Sequence, residues 1–418
     1  WGMAFYHVIS GWLMLMKEDA AGVKYHASEG LKAGKRAGCP LTLPVNHLLC
    51  ALSEHLSHES ANAEAHLETA LELSRRAHAR QVAFGCHLVK AEIALADGDQ
   101  NRLNQALEDA FALGREKRYV NSYFCRPKVM AALCVEALKR GIEVDYARFL
   151  VKQRRLVPPV PPRRFERWPW PFRIRCLGGF SLDIQEEPLL FSGKTQRRPL
   201  SILKYLVAKG GRSVSAARMQ DDLWPDTDGD RAFISFKTTL HRLRKLLGED
   251  GAILLKSGTL SFNEYQCWND VWAFEDLSQE MEALLTQASE AGHHFIGRIE
   301  GLLNLYKGPF LPDEEGYWAI RKRQELKARF VELVQRCALF LADHGDNQTG
   351  IGILQKAISA APLEEPLHYC LMELFQKAGK AAEAFQIFER YHSVLSAECD
   401  RSPSKRMKTL QQDLKKSL

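Results

Sequence analysis

The residues best suited to chemistry in this sequence lie between positions 231 and 247, in the run RAFISFKTTLHRLRKLL. It holds five Arg or Lys residues, one His and no carboxylate. Apolar residues recur at Phe236, Leu240, Leu243 and Leu247, a spacing of four, three and four that keeps them in one stripe of an α-helix. At about 100° per residue, the opposite face takes Arg231, Thr238, His241, Arg242 and Lys245, with Lys237 and Arg244 flanking it. Gly248 follows as a helix stop. Such a face suits a polyanion. Arg and His can donate to guanine edges and Thr can meet a base or a phosphate, while Lys and the flanking Arg suit phosphates. A basic amphipathic helix is also what a plain solvated surface looks like, so the surrounding elements must decide.

Those elements form an ordered series. Residues 172–177 and 180–184 alternate like short strands around Gly178-Gly179. Helices are predicted at about 196–209, 215–223 and 230–247. The second starts with Ser215 as a plausible cap and ends before Trp224-Pro225. Trp224 is expected in the domain core, with Pro225 and Asp226 starting the connecting loop. Residues 252–256 and 259–262 flank Ser257-Gly258 as a hairpin, on which Lys256 can reach a phosphate or the minor groove. Strands, three helices and a basic hairpin are the order of a winged helix-turn-helix, with the helix beginning near Arg231 as the one that enters the major groove.

The rest of the chain reads as helices. The fold class expected is mainly α with a small α+β domain. Residues 1–157 form a tetratricopeptide-like helical-repeat domain for sensing or interaction, and 158–171 a Pro/Arg-rich linker. Residues 172–275 form the winged helix-turn-helix, and 276–418 a second tetratricopeptide-type domain. In the first part, 63–79 aligns with 99–115 at an offset of 36, placing Leu67, Ala70 and Leu71 on Leu103, Ala106 and Leu107. An irregular helical bundle stays open as the alternative there. In the last part, His344-Gly345-Asp346 matches Ala378-Gly379-Lys380 at an offset of 34, the tetratricopeptide period. Leu341 then falls on Phe375, Leu354 on Phe388 and Ala357 on Tyr391. Between Arg148 and Arg175 nine basic residues face one acidic residue, Glu166. That linker can follow a phosphate backbone or serve as a solvated spacer.

Residues 174–415 resemble the Streptomyces antibiotic regulatory protein (SARP) family, in which an OmpR-type winged helix precedes a bacterial transcriptional activation domain (BTAD) built of tetratricopeptide repeats. The resemblance is carried by Leu177-Gly178 with Phe180, Gly193-Lys194-Thr195-Gln196-Arg197, Asp222-Leu223-Trp224-Pro225, and the run from Leu240 to Gly248. It continues in Tyr306-Lys307-Gly308-Pro309-Phe310-Leu311 and in residues 380–395. It implies a cytoplasmic bacterial regulator, associated with the nucleoid when bound, that binds double-stranded promoter DNA and recruits RNA polymerase. By position, Thr238, His241, Arg242 and Lys245 match that family's recognition-helix face; with Arg231, Lys237, Arg244 and Lys256 from the helix and hairpin pattern above, they make up the expected DNA-contacting set. The wing tip, Ser257-Gly258-Thr259-Leu260, departs from the pattern by lacking an aromatic residue after its glycine. The N-terminal helices, followed by Trp168-Pro169-Trp170, resemble the sensory repeats of larger MalT-like signal-transduction regulators. That implies an upstream ATP-binding switch domain in the full-length protein.

Other chemistry finds little support. Gly193-Lys194-Thr195 resembles the end of a phosphate-binding loop, but that motif needs glycine where Pro188 stands. The ten cysteines include no CxxC pair and read as reduced, mostly buried thiols. His55 with His58, and His293 with His294, lack further ligands at metal spacing. No nucleophile elbow occurs, so neither an enzyme nor a cofactor is expected. No apolar run reaches 18 residues, which speaks against a membrane partner. The chain starts at Trp1 rather than Met and is expected to be the C-terminal piece of a longer one. The net charge of +6 is too mild to identify a partner. The competing reading is a protein-interaction scaffold of two helical-repeat arms, in which the winged helix makes protein contacts.

Overall fold

The computed structural model describes residues 2–190, 197–248, 251–287 and 293–417. Residues Gly193, Lys194, Thr195 and Gln196 of the motif noted above lie outside this set. Two compact units divide the chain, Trp1–Pro169 and Trp170–Leu418. Among the described residues, no helix is long and apolar enough to cross a membrane.

The first unit consists of α1 (Gly2–Met16), α2 (Ala20–Ala37), α3 (Thr42–Leu56), α4 (Ser60–Arg76), α5 (Arg80–Asp97), α6 (Gln100–Lys117), α7 (Pro127–Arg140) and α8 (Val144–Arg154). Helices α2, α4 and α6 start 40 residues apart, at positions 20, 60 and 100. Their buried faces repeat on that period. Val23, Ala63 and Leu103 correspond, as do Ala27, Leu67 and Leu107, and Gly30, Ala70 and Ala110. Asp19 and Asp99, 80 residues apart, both cap their helices through side-chain oxygens. The offset of 36 is therefore corrected to 40. Both numbers are near-integer multiples of the 3.6-residue turn, so an apolar stripe matches itself at either offset, and only the turns separate them. Small residues at the helix contacts set the spacing. A Cβ on Gly30 would lie 2.4 Å from Asn46 Oδ1, and one on Gly114 would lie 2.2 Å from Tyr146 Oη. The basic segment after α8 packs on this unit: Phe165 lies under Lys139 Nζ of α7, 5.2 Å from the ring centre.

Successive repeats of this unit carry a histidine pair between their helices. His7 Nδ1 lies 2.9 Å from His26 Nδ1, and His47 Nδ1 lies 3.0 Å from His66 Nδ1. One ring of each pair donates and the other must accept, so the bond needs a neutral imidazole. Burial, then His66, then Lys35 push His47 down from 6.5 to about 4; burial and Lys35 also lower His66, against the pull of Glu54. A histidine depressed on folding binds fewer protons in the native state than unfolded. Its stability contribution is intact above pH 6.5 and drains away as the pH falls to about 4. The melting temperature of this unit should drop across that window, and His47→Gln should flatten the drop. A variant that tracks the parent protein throughout would exclude the pair as the cause.

The second unit opens with β1 (Phe172–Arg175), β2 (Ser181–Ile184) and β3 (Glu187–Pro188), followed by α9 (Arg197–Ala208), β4 (Val214–Ser215), α10 (Ala216–Leu223) and α11 (Gly229–Leu247). The hairpin β5 (Ile253–Lys256) and β6 (Thr259–Phe262) and the strand β7 (Cys267–Asn269) complete it. One sheet has the order β3-β2-β1-β7, with β1 antiparallel to β2 and parallel to β7. The other runs β4-β6-β5. Strands β3, β4 and β7, only two or three residues each, are too short to leave a period in the sequence. The hairpin turn needs two residues at positive φ, and Ser257 (47°) and Gly258 (75°) supply them. Trp224 is buried in the core that also holds Leu203, Met219 and Phe236.

Seven further helices follow: α12 (Asp270–Gln287), α13 (His293–Leu305), α14 (Tyr317–Asp343), α15 (Asn347–Ala360), α16 (Glu365–Lys377), α17 (Ala381–Cys399) and α18 (Lys405–Ser417). Helices α15 and α17 start at 347 and 381, keeping the 34-residue offset, and Leu341, Phe375, Leu354, Phe388, Ala357 and Tyr391 are all buried. The winged helix and these helices share one continuous core. The run from Tyr306 to Leu311 is the seam. Leu177 bridges Phe310, Gly178 N–H donates to the Pro309 carbonyl at 3.0 Å, and Leu311 N–H donates to the Cys176 carbonyl at 2.9 Å. Gly178, at φ 96°, has room for no side chain, because a Cβ would lie 3.0 Å from the Lys307 backbone.

Candidate nucleic-acid interface

Helix α11 is set by local chemistry at both ends. The Asp228 side chain accepts from Gly229 N–H at the N-terminus, and Gly248 takes the left-handed conformation at the C-terminus. The helix begins two residues before Arg231 and so includes Asp230. Asp226, Asp228 and Asp230 gather at its positive end, which favours carboxylates and leaves the cationic surface toward its middle and C-terminal half. Ala232, Phe236, Thr239, Leu240, Leu243 and Leu247 are buried, in a helix packed against α9 and α10. Thr239 is tolerated there because its hydroxyl donates to the Ser235 carbonyl at 2.6 Å.

The opposite face is open to solvent. Arg231, Lys237, Thr238, His241, Arg242 and Lys245 are all exposed, as is Lys256 at the end of β5. Several cations elsewhere in this unit are matched, such as Lys204 with Glu314, Arg212 with Glu264, and Lys322 with Glu275. Among the described residues, Arg231, Lys237, Arg242, Lys245 and Lys256 have no carboxylate within ion-pair distance. Lys237 instead lies over the Phe233 ring, 4.3 Å from its centre. A cluster of cations without internal counter-charges attracts an external polyanion more strongly than one already neutralised.

Arg244 differs from the rest of the expected set. It is half-buried, and its Nη2 donates to the Ile253 carbonyl of β5 at 2.8 Å. This bond braces the wing against the helix. Two residues on α11 escaped the sequence reading: Phe233 is 45% exposed and Ile234 63% exposed. Their angles carried the signal. At about 100° per residue, Ile234 points within about 20° of the centre of the exposed face, beside Thr238, His241 and Lys245.

Asp270, at the start of α12, also escaped notice. Its Oδ2 accepts the N–H groups of Cys176 and Leu177, at 2.7 and 2.8 Å, so a buried carboxylate ties the end of β1 to the helix that follows β7. Burial pushes its carboxyl up to about 7, against the lowering effect of those N–H groups. No cluster of three metal-ligating side chains occurs among the described residues. Nine cysteines form no disulfide among the described residues, and eight of them are buried.

Residues 269–415, from β7 to near the end of α18, match the family model of the bacterial transcriptional activator domain. This match, together with the relatives below, supports a SARP/BTAD regulator. Regulatory protein AfsR of Streptomyces griseus is 28% identical over 226 residues, which are 54% of this chain and 22% of AfsR. Transcriptional regulator RedD of Streptomyces coelicolor is 25% identical over 244 residues, 55% of this chain and 66% of RedD. The chain thus spans about a fifth of the length of AfsR. Among solved structures, EmbR of Mycobacterium tuberculosis matches 59% of this chain and 65% of its own, at 18% identity and a TM-score of 0.42. The family is one of transcription regulators.

Proposed function

We propose that this chain is a sequence-specific DNA-binding transcription activator. Helix α11 enters the major groove of promoter DNA, and the 276–418 repeats contact RNA polymerase. The observation that carries this reading is the exposed face of α11, whose cations Arg231, Lys237, Arg242 and Lys245 have no carboxylate partner among the described residues and whose opposite side is bound into the core. Thr238, His241 and Arg242 read base edges. Arg231, Lys237, Lys245 and Lys256 meet phosphates, and Arg244 positions the wing. Such a protein works in the cytoplasm, at the nucleoid. The core that the winged helix shares with the activator domain supports a fixed geometry between DNA and polymerase.

Binding to promoter duplex, followed by fluorescence anisotropy at rising salt, tests the DNA half. Three to five neutralised phosphates predict a slope of log affinity against log salt of about −3 to −5. A slope near zero would leave only protein contacts for this face, as in a scaffold. In vitro transcription with the whole chain tests the other half. Transcript should rise from a promoter the chain occupies, and an occupied promoter that shows no rise would refute polymerase recruitment.

A further inference from the structure

We propose that Ile234 reads thymine, packing its side chain against the 5-methyl group in the major groove. This rests on the reading that α11 enters that groove. Ile234 is 63% exposed. It stands four, seven and eleven residues before Thr238, His241 and Lys245, the spacing of a single column along one helix face. It also lies in the N-terminal half of the helix, the part that reaches base edges in helix-turn-helix docking.

The surroundings select the occupant. Ile234 has no hydrogen-bonding group, so it gains nothing from a phosphate. The cations around it, Arg231, Lys237, Arg242 and Lys245, are exposed and have no carboxylate partner among the described residues, so they favour a polyanion over an apolar protein surface. Within the major groove of a polyanionic duplex, thymine is the base whose edge presents a methyl group. A β-branched side chain on a helix is held near one χ1 rotamer, so the contact needs little further ordering. Phe233 belongs to the flank, under Lys237, and takes no part in this readout.

The test uses the whole chain. Duplexes are selected from a randomised library, and each thymine of the selected sequence is then replaced by uracil, which lacks only the methyl group. At one or two positions this should weaken binding by about fourfold, the effect of losing one buried methyl at ~0.8 kcal/mol. Ile234→Ala should bind the thymine duplex about as weakly as the parent chain binds the uracil duplex, and should lose nothing more on uracil substitution. Its melting temperature should stay unchanged, because the side chain is exposed. A flat uracil scan on a tightly bound duplex would overturn the proposal and leave DNA binding standing. So would a methyl effect that survives undiminished in Ile234→Ala. Failure to select any duplex would overturn both.

Discussion

Asp270→Ala is expected to destabilise the 170–418 unit by about 2–6 kcal/mol, because each buried donor left unmet costs about 1–3 kcal/mol and two lose their acceptor. The donors are the N–H groups of Cys176 and Leu177, both in buried residues. These two N–H groups lie where β1 passes into the seam with the Tyr306–Leu311 run, so the loss should loosen the winged helix and the activator domain together. Chemical denaturation monitored by tryptophan fluorescence checks the size of the effect. Asp270→Asn keeps an acceptor oxygen at nearly the same place and should lose clearly less. Equal losses in the two variants would show that the negative charge matters rather than the acceptor.

The pH dependence of the same residue has a definite sign. Its folded value, about 7, lies above the ordinary 3.8, so the native state binds more protons than the unfolded state in between. The contribution of Asp270 is fully present below about pH 4 and falls as the pH rises through 7. This is opposite to the histidine pairs of the first unit, which lose stability as the pH falls. Asp270→Asn should therefore remove the Asp270 contribution, leaving the second unit more stable relative to the parent at pH 7 than at pH 4.

On cognate DNA, Arg242→Ala is expected to cost about 1–3 kcal/mol, the range for a bidentate contact to a guanine edge. On random DNA it should cost much less. Lys245→Ala should weaken both about equally and make the salt slope shallower by about one. Arg244→Ala serves as the contrast. It removes the bond to the Ile253 carbonyl and should lower the melting temperature, with a smaller change in salt slope than Lys245→Ala. Equal losses on cognate and random DNA for Arg242→Ala would move that residue from base reading to phosphate binding.

Much of this architecture was legible before any coordinates, for local reasons. The stripe from Phe236 to Leu247, the Ser215 cap, the Gly248 stop and the Ser257-Gly258 turn each depend on residues within one or two helical turns of one another. Local rules of period, capping and backbone conformation are enough for such features. The 34-residue repeat was equally visible, because the turns at Gly345 and Gly379 mark its phase. The 40-residue repeat was misread as 36, because an apolar stripe alone has no phase marker when both offsets are close to whole turns.

Other features depended on partners distant in the chain. Arg244 reads as one more cation on a basic helix until the wing strand brings the Ile253 carbonyl to its guanidinium. Asp270 is an ordinary carboxylate until folding places two N–H groups from 93 and 94 residues away against it. That Arg242 and Lys245 find no carboxylate among the described residues is likewise a property of what packs nearby. Apart from the short strands β3, β4 and β7, the sequence by itself determined the elements of the winged helix, their order and the helix that carries the basic face, since these follow from contacts along one segment. Only the tertiary structure decided which members of that face stay open to a partner and which one holds the wing. Those depend on which surfaces folding covers, and burial is set by the whole chain.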